Sequence, residues 1–257
     1  ISLSNNDSGG TGGLNSTTGN TVFGYLAGQS IDSGSVNNTF IGHGVSDATM
    51  NDATNNVGVG SGAFSALTSG DNNVAIGSSA GNALTTGAAN VTLGTNTLAT
   101  ATTALNNTAL GHNAMVNVKA GVAVDGCVAI GFESLYGNSS NTTGINNTIA
   151  IGDSALKALT TGNRNTAIGY QCMTAMTTGG SNTVVGYNAM VDANHADCDD
   201  NTVIGFEAGK SFGANAVKET VLIGYAAGDA INNSGASGTT AVGTAALSAL
   251  TSGADNT

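Results

Sequence analysis

An aliphatic residue followed by glycine recurs along the chain, ending at Gly42, Gly60, Gly77, Gly94, Gly111, Gly131, Gly152, Gly169, Gly186, Gly205, Gly224 and Gly243, and Phe23 fills the same slot before Gly24. The intervals are 18, 18, 17, 17, 17, 20, 21, 17, 17, 19, 19 and 19 residues, which makes the chain one array of a single short unit. Count each repeat glycine as position 0. Positions −3 and −1 are then mostly β-branched or aliphatic, as in Val74 and Ile76, with a residue between them that is often small, as Ala75 is. A two-residue period of this kind predicts a β-strand with one face turned inward. A small residue recurs at +3, with Ala27, Ala63, Ala80, Ala114, Ala155, Ala189, Ala208, Ala227 and Ala246 as examples, and a larger apolar residue often stands at +7, as Leu67, Leu84, Leu159, Met176, Phe212, Ile231 and Leu250 do. The small and large slots fill two ends of a flattened cross-section.

Asparagine holds position −4 in nine units, from Asn20 and Asn38 to Asn201. Asparagine tolerates left-handed backbone, and its amide can bond neighbouring backbone or stack in a ladder, so it turns the chain into the strand. Thr-Thr-Gly or Thr-Ser-Gly closes several coils, at 68–70, 85–87, 160–162, 177–179 and 251–253. Each coil therefore reads as strand, bend, second short strand and turn. A unit this short cannot bury a core alone and must stack on its neighbours. The expected fold is all-β: a parallel β-roll or β-solenoid, left-handed, of about 13–14 coils of 17–21 residues, rising about 4.8 Å per coil to a rod on the order of 65 Å. An α-helical solenoid is the competitor for segments such as 154–160, but glycine and β-branched residues interrupt every candidate helix. With no linker in the array, residues 1–257 are read as one repetitive domain, a segment of a longer array or a fibre subunit. Extra residues fall at 116–125, 134–146 and 191–200, and solenoid insertions go to surface loops, which makes these the first places to look for recognition.

Composition narrows function further. Sixteen acidic residues against five basic ones give a net charge of −11, a surface that repels phosphate backbones and anionic lipid, so neither nucleic-acid binding nor membrane insertion is expected. No run of about 18 apolar residues exists to span a bilayer. Cys127, Cys172 and Cys198 are too few and too irregular for a disulfide framework; Cys172 fills a small core slot as an inert thiol or pairs with Cys198 one coil away, and Cys127 stands partly exposed at the asparagine position. His43, His112 and His195 lie far apart and read as surface residues, and no arrangement of nucleophile, base and orienting group appears, so the chain is expected not to be an enzyme. No cofactor is expected. Asp192, Asp197, Asp199 and Asp200 crowd one insertion and offer oxygen ligands to a hard cation, but their spacing matches no calcium loop, and a solvated acidic loop is the reading taken.

The segments Asn73-Val-Ala-Ile-Gly-Ser-Ser-Ala80, Cys127-Val-Ala-Ile-Gly-Phe-Glu-Ser134 and Thr148-Ile-Ala-Ile-Gly-Asp-Ser-Ala155 resemble the head repeat of trimeric autotransporter adhesins, and the longer unit with its Leu-Thr-Thr-Gly ending is similar to shaft repeats of phage tail fibres. The resemblance implies a left-handed parallel β-roll in a homotrimer, part of an extracellular, cell-surface or virion fibre that projects and attaches to a surface, with a host glycan or protein as receptor. It carries over no binding residue, and the 17–21 residue interval is longer than the adhesin coil, so the cross-section differs. Asn256-Thr257 and Ile1-Ser-Leu-Ser4 would join as one coil, which makes a head-to-tail filament a second form of self-association. An ice-binding or ligand-binding solenoid is a third reading, weakened by the irregular intervals.

Overall fold

In the computed structural model, residues 18–122, 124–138, 142–196 and 198–256 are described; Ile1–Ser4, Thr257 and Asp197, on which some of the expectations above rest, lie outside them. The chain forms two compact units, Ile1–Gly126 and Cys127–Thr257. The first holds β1 (Thr21–Phe23), β2 (Thr39–Ile41), β3 (Val57–Val59), β4 (Val74–Ile76), β5 (Val91–Leu93) and β6 (Thr108–Leu110). The second holds β7 (Val128–Ile130), β8 (Ile149–Ile151), β9 (Thr166–Ile168), β10 (Thr183–Val185), β11 (Thr202–Ile204), β12 (Val221–Ile223) and β13 (Thr240–Val242). Within each unit every strand pairs in parallel with the next in sequence, and equivalent repeat positions face each other, as Val57, Val74 and Val91 do in one unit and Ile149, Thr166 and Thr183 in the other. Each unit is a parallel β-solenoid. Among the described residues the one helical element is a three-residue 3-10 turn, Ser234–Ala236.

The strands sit where the alternation predicts them, and the face turned inward is the middle position, often alanine but Phe40 in β2 and Leu222 in β12. The middle residue of every strand is buried, Ala75, Ala109, Ala129, Ala150 and Ala167 among them, while positions −3 and −1 point outward. The rest of the core comes from +3, +4 and +7. Leu98, Met115, Leu135, Leu156, Met173 and Met190 at +4 are fully buried, a slot the +3/+7 pattern did not anticipate. Where +4 is glycine, its neighbour expands: a Cβ on Gly28 would lie 2.5 Å from Ile31 Cδ1, and one on Gly209 would lie 3.0 Å from Phe212 Cε1. Volume is thus conserved across the narrow section, as close packing requires.

Among the described residues the second strand expected in each coil does not form. The backbone instead passes through a left-handed residue at +2 and again at +4, as at Ser154 and Leu156 or Gln171 and Met173, and this alternation curls the segment into turns. Its N–H groups still reach adjacent coils: Ser79 donates to the Ser61 carbonyl and Gly81 to the Thr97 carbonyl, each at 2.9 Å. Further on, single bridges link Ala88 to Leu105 and Leu105 to Asp125. A third left-handed residue falls at −5, at Asn37, Asn55, Asn72, Asn106, Asn147 and Arg164, one position before the asparagine expected to carry the turn.

The −4 asparagine stacks in the expected ladder, as a buried rung. Asn73 Oδ1 accepts the backbone N–H and the side-chain amide of Asn90, both at 3.0 Å, and Asn73 Nδ2 donates to Asn56 Oδ1 at 3.1 Å and to the Gly87 carbonyl at 2.8 Å. The same pattern links Asn165, Asn182 and Asn201, and Thr220 ends that run by donating to Asn201 Oδ1 at 2.7 Å. Thr148, at the same position, keeps a buried hydroxyl without a partner. Removing a rung strands several buried groups at once, so Asn73→Ala is expected to lower stability by about 3 kcal/mol, whereas Thr148→Asn, which restores a rung, raises it by about 1 kcal/mol; chemical denaturation of each variant checks both.

The repeat glycine has φ between +122° at Gly111 and +150° at Gly186, and its missing side chain is where the next coil's backbone lies. A Cβ on Gly152 would stand 2.3 Å from the Gly169 carbonyl oxygen. Gly121, at φ +75°, would have nothing within 4 Å of an added methyl group. Gly152→Ala should therefore lose at least about 3 kcal/mol and Gly121→Ala only about 1–2 kcal/mol from its left-handed backbone, as read by guanidinium unfolding; equal losses would show that coil contact is not the reason for the repeat glycine.

Candidate functional site: the outward strand face

Because −2 turns inward, each strand presents its −3 and −1 side chains to solvent. In the first unit Phe23, Ile41, Ile76 and Leu93 are each 38–44% exposed at −1. In the second, Ile168, Ile204 and Ile223 are 36–38% exposed, and Val242 at the last strand is 66% exposed. Position −3 adds Thr, Val or Ile in every strand, and none of the strands carries a charge.

Position +1 widens this face differently in the two units. In the second, Tyr170, Tyr187, Phe206 and Tyr225 stack ring on ring, with centroids 5.1, 5.1 and 5.3 Å apart and planes within 15°. In-register coils impose that spacing, and offset stacking stabilises it further. In the first, the corresponding residues are Tyr25, His43, Ser61, Ser78, Thr95 and His112, and Tyr25 and His43 stack, at 5.5 Å. The four stacked rings are 42–56% exposed. With aromatic side chains of roughly 150–250 Å² each, they show about 300–400 Å² to solvent, and the neighbouring isoleucines bring the patch to the upper part of the roughly 300–600 Å² that is the largest on a typical monomer.

The acidic residues mostly serve the coils. Asp71 Oδ1 accepts the Thr54 backbone N–H at 2.6 Å, Asp125 Oδ1 that of Leu105 at 3.0 Å, and Asp199 Oδ1 that of Gly180 at 2.8 Å. Each caps the coil before its own at the same repeat position. Asp199 also pairs with Lys218 Nζ at 3.6 Å, while Asp192 and Asp200 are exposed. Among the described residues no three of His, Cys, Asp and Glu come together as a cation site. Asp32 is held below the usual carboxylate range chiefly by the Ser35 hydroxyl that donates to it. Lys157 pairs with Glu133 at 2.6 Å, which raises the lysine above its ordinary range.

His43 stacks on Tyr25 in the first unit, and His195 lies in the 191–200 insertion of the second. All three cysteines are free and buried. Cys127 is fully buried, contrary to the partial exposure expected of it, because position −4 faces the ladder; its Sγ donates to the Ile145 carbonyl at 3.0 Å. Burial pushes the Cys172 thiol up to about 12. At pH 8 it is therefore protonated and inaccessible, so Ellman's reagent should find no reactive thiol in the native protein and three after denaturation; rapid native labelling would contradict the burial.

No helix of the described residues is long and apolar enough to cross a membrane. A scan against protein-family models found no match, and searches of curated proteins and of solved structures found none either.

Proposed function

We propose that this chain is a non-enzymatic structural protein of an extracellular or virion fibre, like an adhesin head or a tail-fibre shaft, that self-associates as a homotrimer through its outward strand face. The single observation that carries the reading is the uncharged aliphatic face repeated on every strand and edged by stacked aromatics in the second unit. A surface of that size and character is characteristic of an interface. Its partner has to match a ridge that recurs with every coil, and the molecule bearing the same ridge at the same period is another copy of the chain. Closed symmetry then buries the face in each copy and leaves nothing open to further addition.

The rest of the coil suits a fibre under tension. Hydrogen bonds from one coil to the next run along the stacking direction, and five cations against sixteen acids keep the remaining surface uniformly negative and repulsive to unrelated anionic surfaces. Attachment to a cell or host surface is the role this supports, with the molecule placed outside the cell or on a virion.

Light scattering over a concentration series tests the reading. Three chains of 24.9 kDa give a constant mass of roughly 75 kDa, and the double variant Ile168→Asp, Tyr187→Asp, which places charge in the face without touching the core, falls to one chain with unchanged β-sheet circular dichroism. A wild-type mass of one chain at every concentration overturns the trimer, and a mass that climbs without limit shows head-to-tail filaments instead.

A further inference from the structure

Away from the strand face, the second unit carries a polar trough of about 450 Å³ on the corner where coils turn toward the asparagine ladder. Its floor consists of Thr161–Arg164 and Thr178–Ser181, equivalent stretches of two adjacent 17-residue coils. Its walls come from the longer intervals on either side: Gly144 before β8, and Ala196, Asp199 and Asp200 before β11. Two insertions thus flank two short coils, and the difference in length makes the depression. Coil stacking also strips the floor. A Cβ on Gly162 would stand 2.0 Å from the Gly179 carbonyl oxygen, and one on Gly179 2.6 Å from that of Cys198, so both positions must stay bare and a ligand can lie against backbone.

We propose that this trough binds a neutral, hydroxyl-rich ligand, namely a segment of oligosaccharide. As an attachment site it rests on the fibre reading; as a binding site it rests on the trough alone. The lining excludes the other classes in turn. Apart from Ala196 it offers no apolar side chain to an apolar ligand. An anion would find the guanidinium of Arg164 but also the carboxylates of Asp199 and Asp200, and a cation would find Asp199 already engaged by the Gly180 N–H at 2.8 Å and by Lys218 at 3.6 Å. What remains is a mixture of donors and acceptors: the Arg164 guanidinium, the Asn163 amide, the Asp200 carboxylate and the hydroxyls of Thr161 and Ser181. Sugar hydroxyls both donate and accept, and match such a mixture without a net charge.

Thr178 adds an observation that points to a ligand. Thr178 lines the trough, and its hydroxyl is turned away from solvent without a hydrogen-bond partner to hold it there. An unmet buried hydroxyl is unfavourable, and a turn about χ1 that brings it out to a ligand hydroxyl in the trough would complete it. Hydrogen bonds exposed at one side to water make each site weak, on the order of millimolar. A trimer presents three such troughs, and simultaneous engagement of a repetitive glycan surface raises the effective affinity by about 10²–10⁴.

The test is an NMR titration of the whole chain with maltotriose, α-mannotriose and triacetylchitotriose as neutral probes, and with trigalacturonate and spermidine as charged ones. The expected result is that at least one neutral trisaccharide shifts the amide signals of Gly162, Gly179 and Gly180. Thr178→Val keeps the shape of the side chain and should weaken that binding about three- to tenfold, the effect of one hydrogen bond, while leaving the melting temperature unchanged or higher because an unpaired hydroxyl is gone. The proposal is overturned if only the charged probes shift those signals, if no probe does, or if Thr178→Val binds like wild type. A trimer that binds none of the trisaccharides sinks the trough and leaves the fibre standing; a monomer that binds them does the reverse.

Discussion

Every coil depends on the next one for its hydrogen bonds. The Val74 N–H donates to the Asn90 carbonyl at 2.8 Å, and the Gly77 N–H to the Val59 carbonyl at 2.8 Å, so a single strand is bonded to one neighbour on each side. Three residues of strand per coil would be a marginal element in isolation, and a parallel pairing has no short hairpin to hold it in register. Register is held instead by making each coil a near copy of the last. Identity of position is what lets glycine meet glycine, asparagine meet asparagine and ring meet ring.

Much of the architecture follows from the parts of that constraint that only a few residue types can satisfy. A carbonyl 2.1–2.5 Å from where a Cβ would be admits only glycine, which is why Gly24, Gly60, Gly152 and Gly205 announce the period. A buried rung that must accept twice and donate twice selects asparagine, which is why Asn20, Asn38, Asn56, Asn73, Asn90 and Asn107 announce the ladder. Such positions are legible because the alternatives are excluded physically. The parallel solenoid, its strand positions and its small and large core slots could be read from them.

The curled segment was not legible, and the reason lies in its side chains. Left-handed backbone ordinarily selects glycine or asparagine, but +4 is filled by Phe64, Leu98, Met115, Leu156 and Met173 because the same position also has to fill the core. The left-handed conformation costs about 1–2 kcal/mol per residue, and burying a large aliphatic side chain returns roughly 1.5–3 kcal/mol. Packing therefore overrides local preference, and a periodicity of two, looked for as a second strand, has no counterpart there. The direction of the strand faces was hidden for a related reason. Hydrophobicity alone would put Ile76 inside and Ala75 outside, yet the inward position takes residues from Gly58 and Ala75 to Leu222 and Phe40, so side-chain size does not mark the face.

Inverting the strand in this way has a consequence for function that single-chain stability does not explain. Thr or charged residues at −1 would leave the inward face, the ladder and the glycine contacts intact and would hydrate better, as Thr244 and Ser61 at +1 do within the same coils' outward edge. Ile41, Ile76, Ile168, Ile204 and Ile223 instead remain partly exposed, and the aromatic ring stack lies beside this face in the second unit. Repeated, partly exposed aliphatics of this kind are what the proposed self-association would bury. The polar trough sits on a different part of the coil, its glycine floor set by stacking and its walls by insertion length. One repeated unit would thereby serve two demands: the strand face is available to hold copies together under the proposed reading, and the coil corner stays open to solvent.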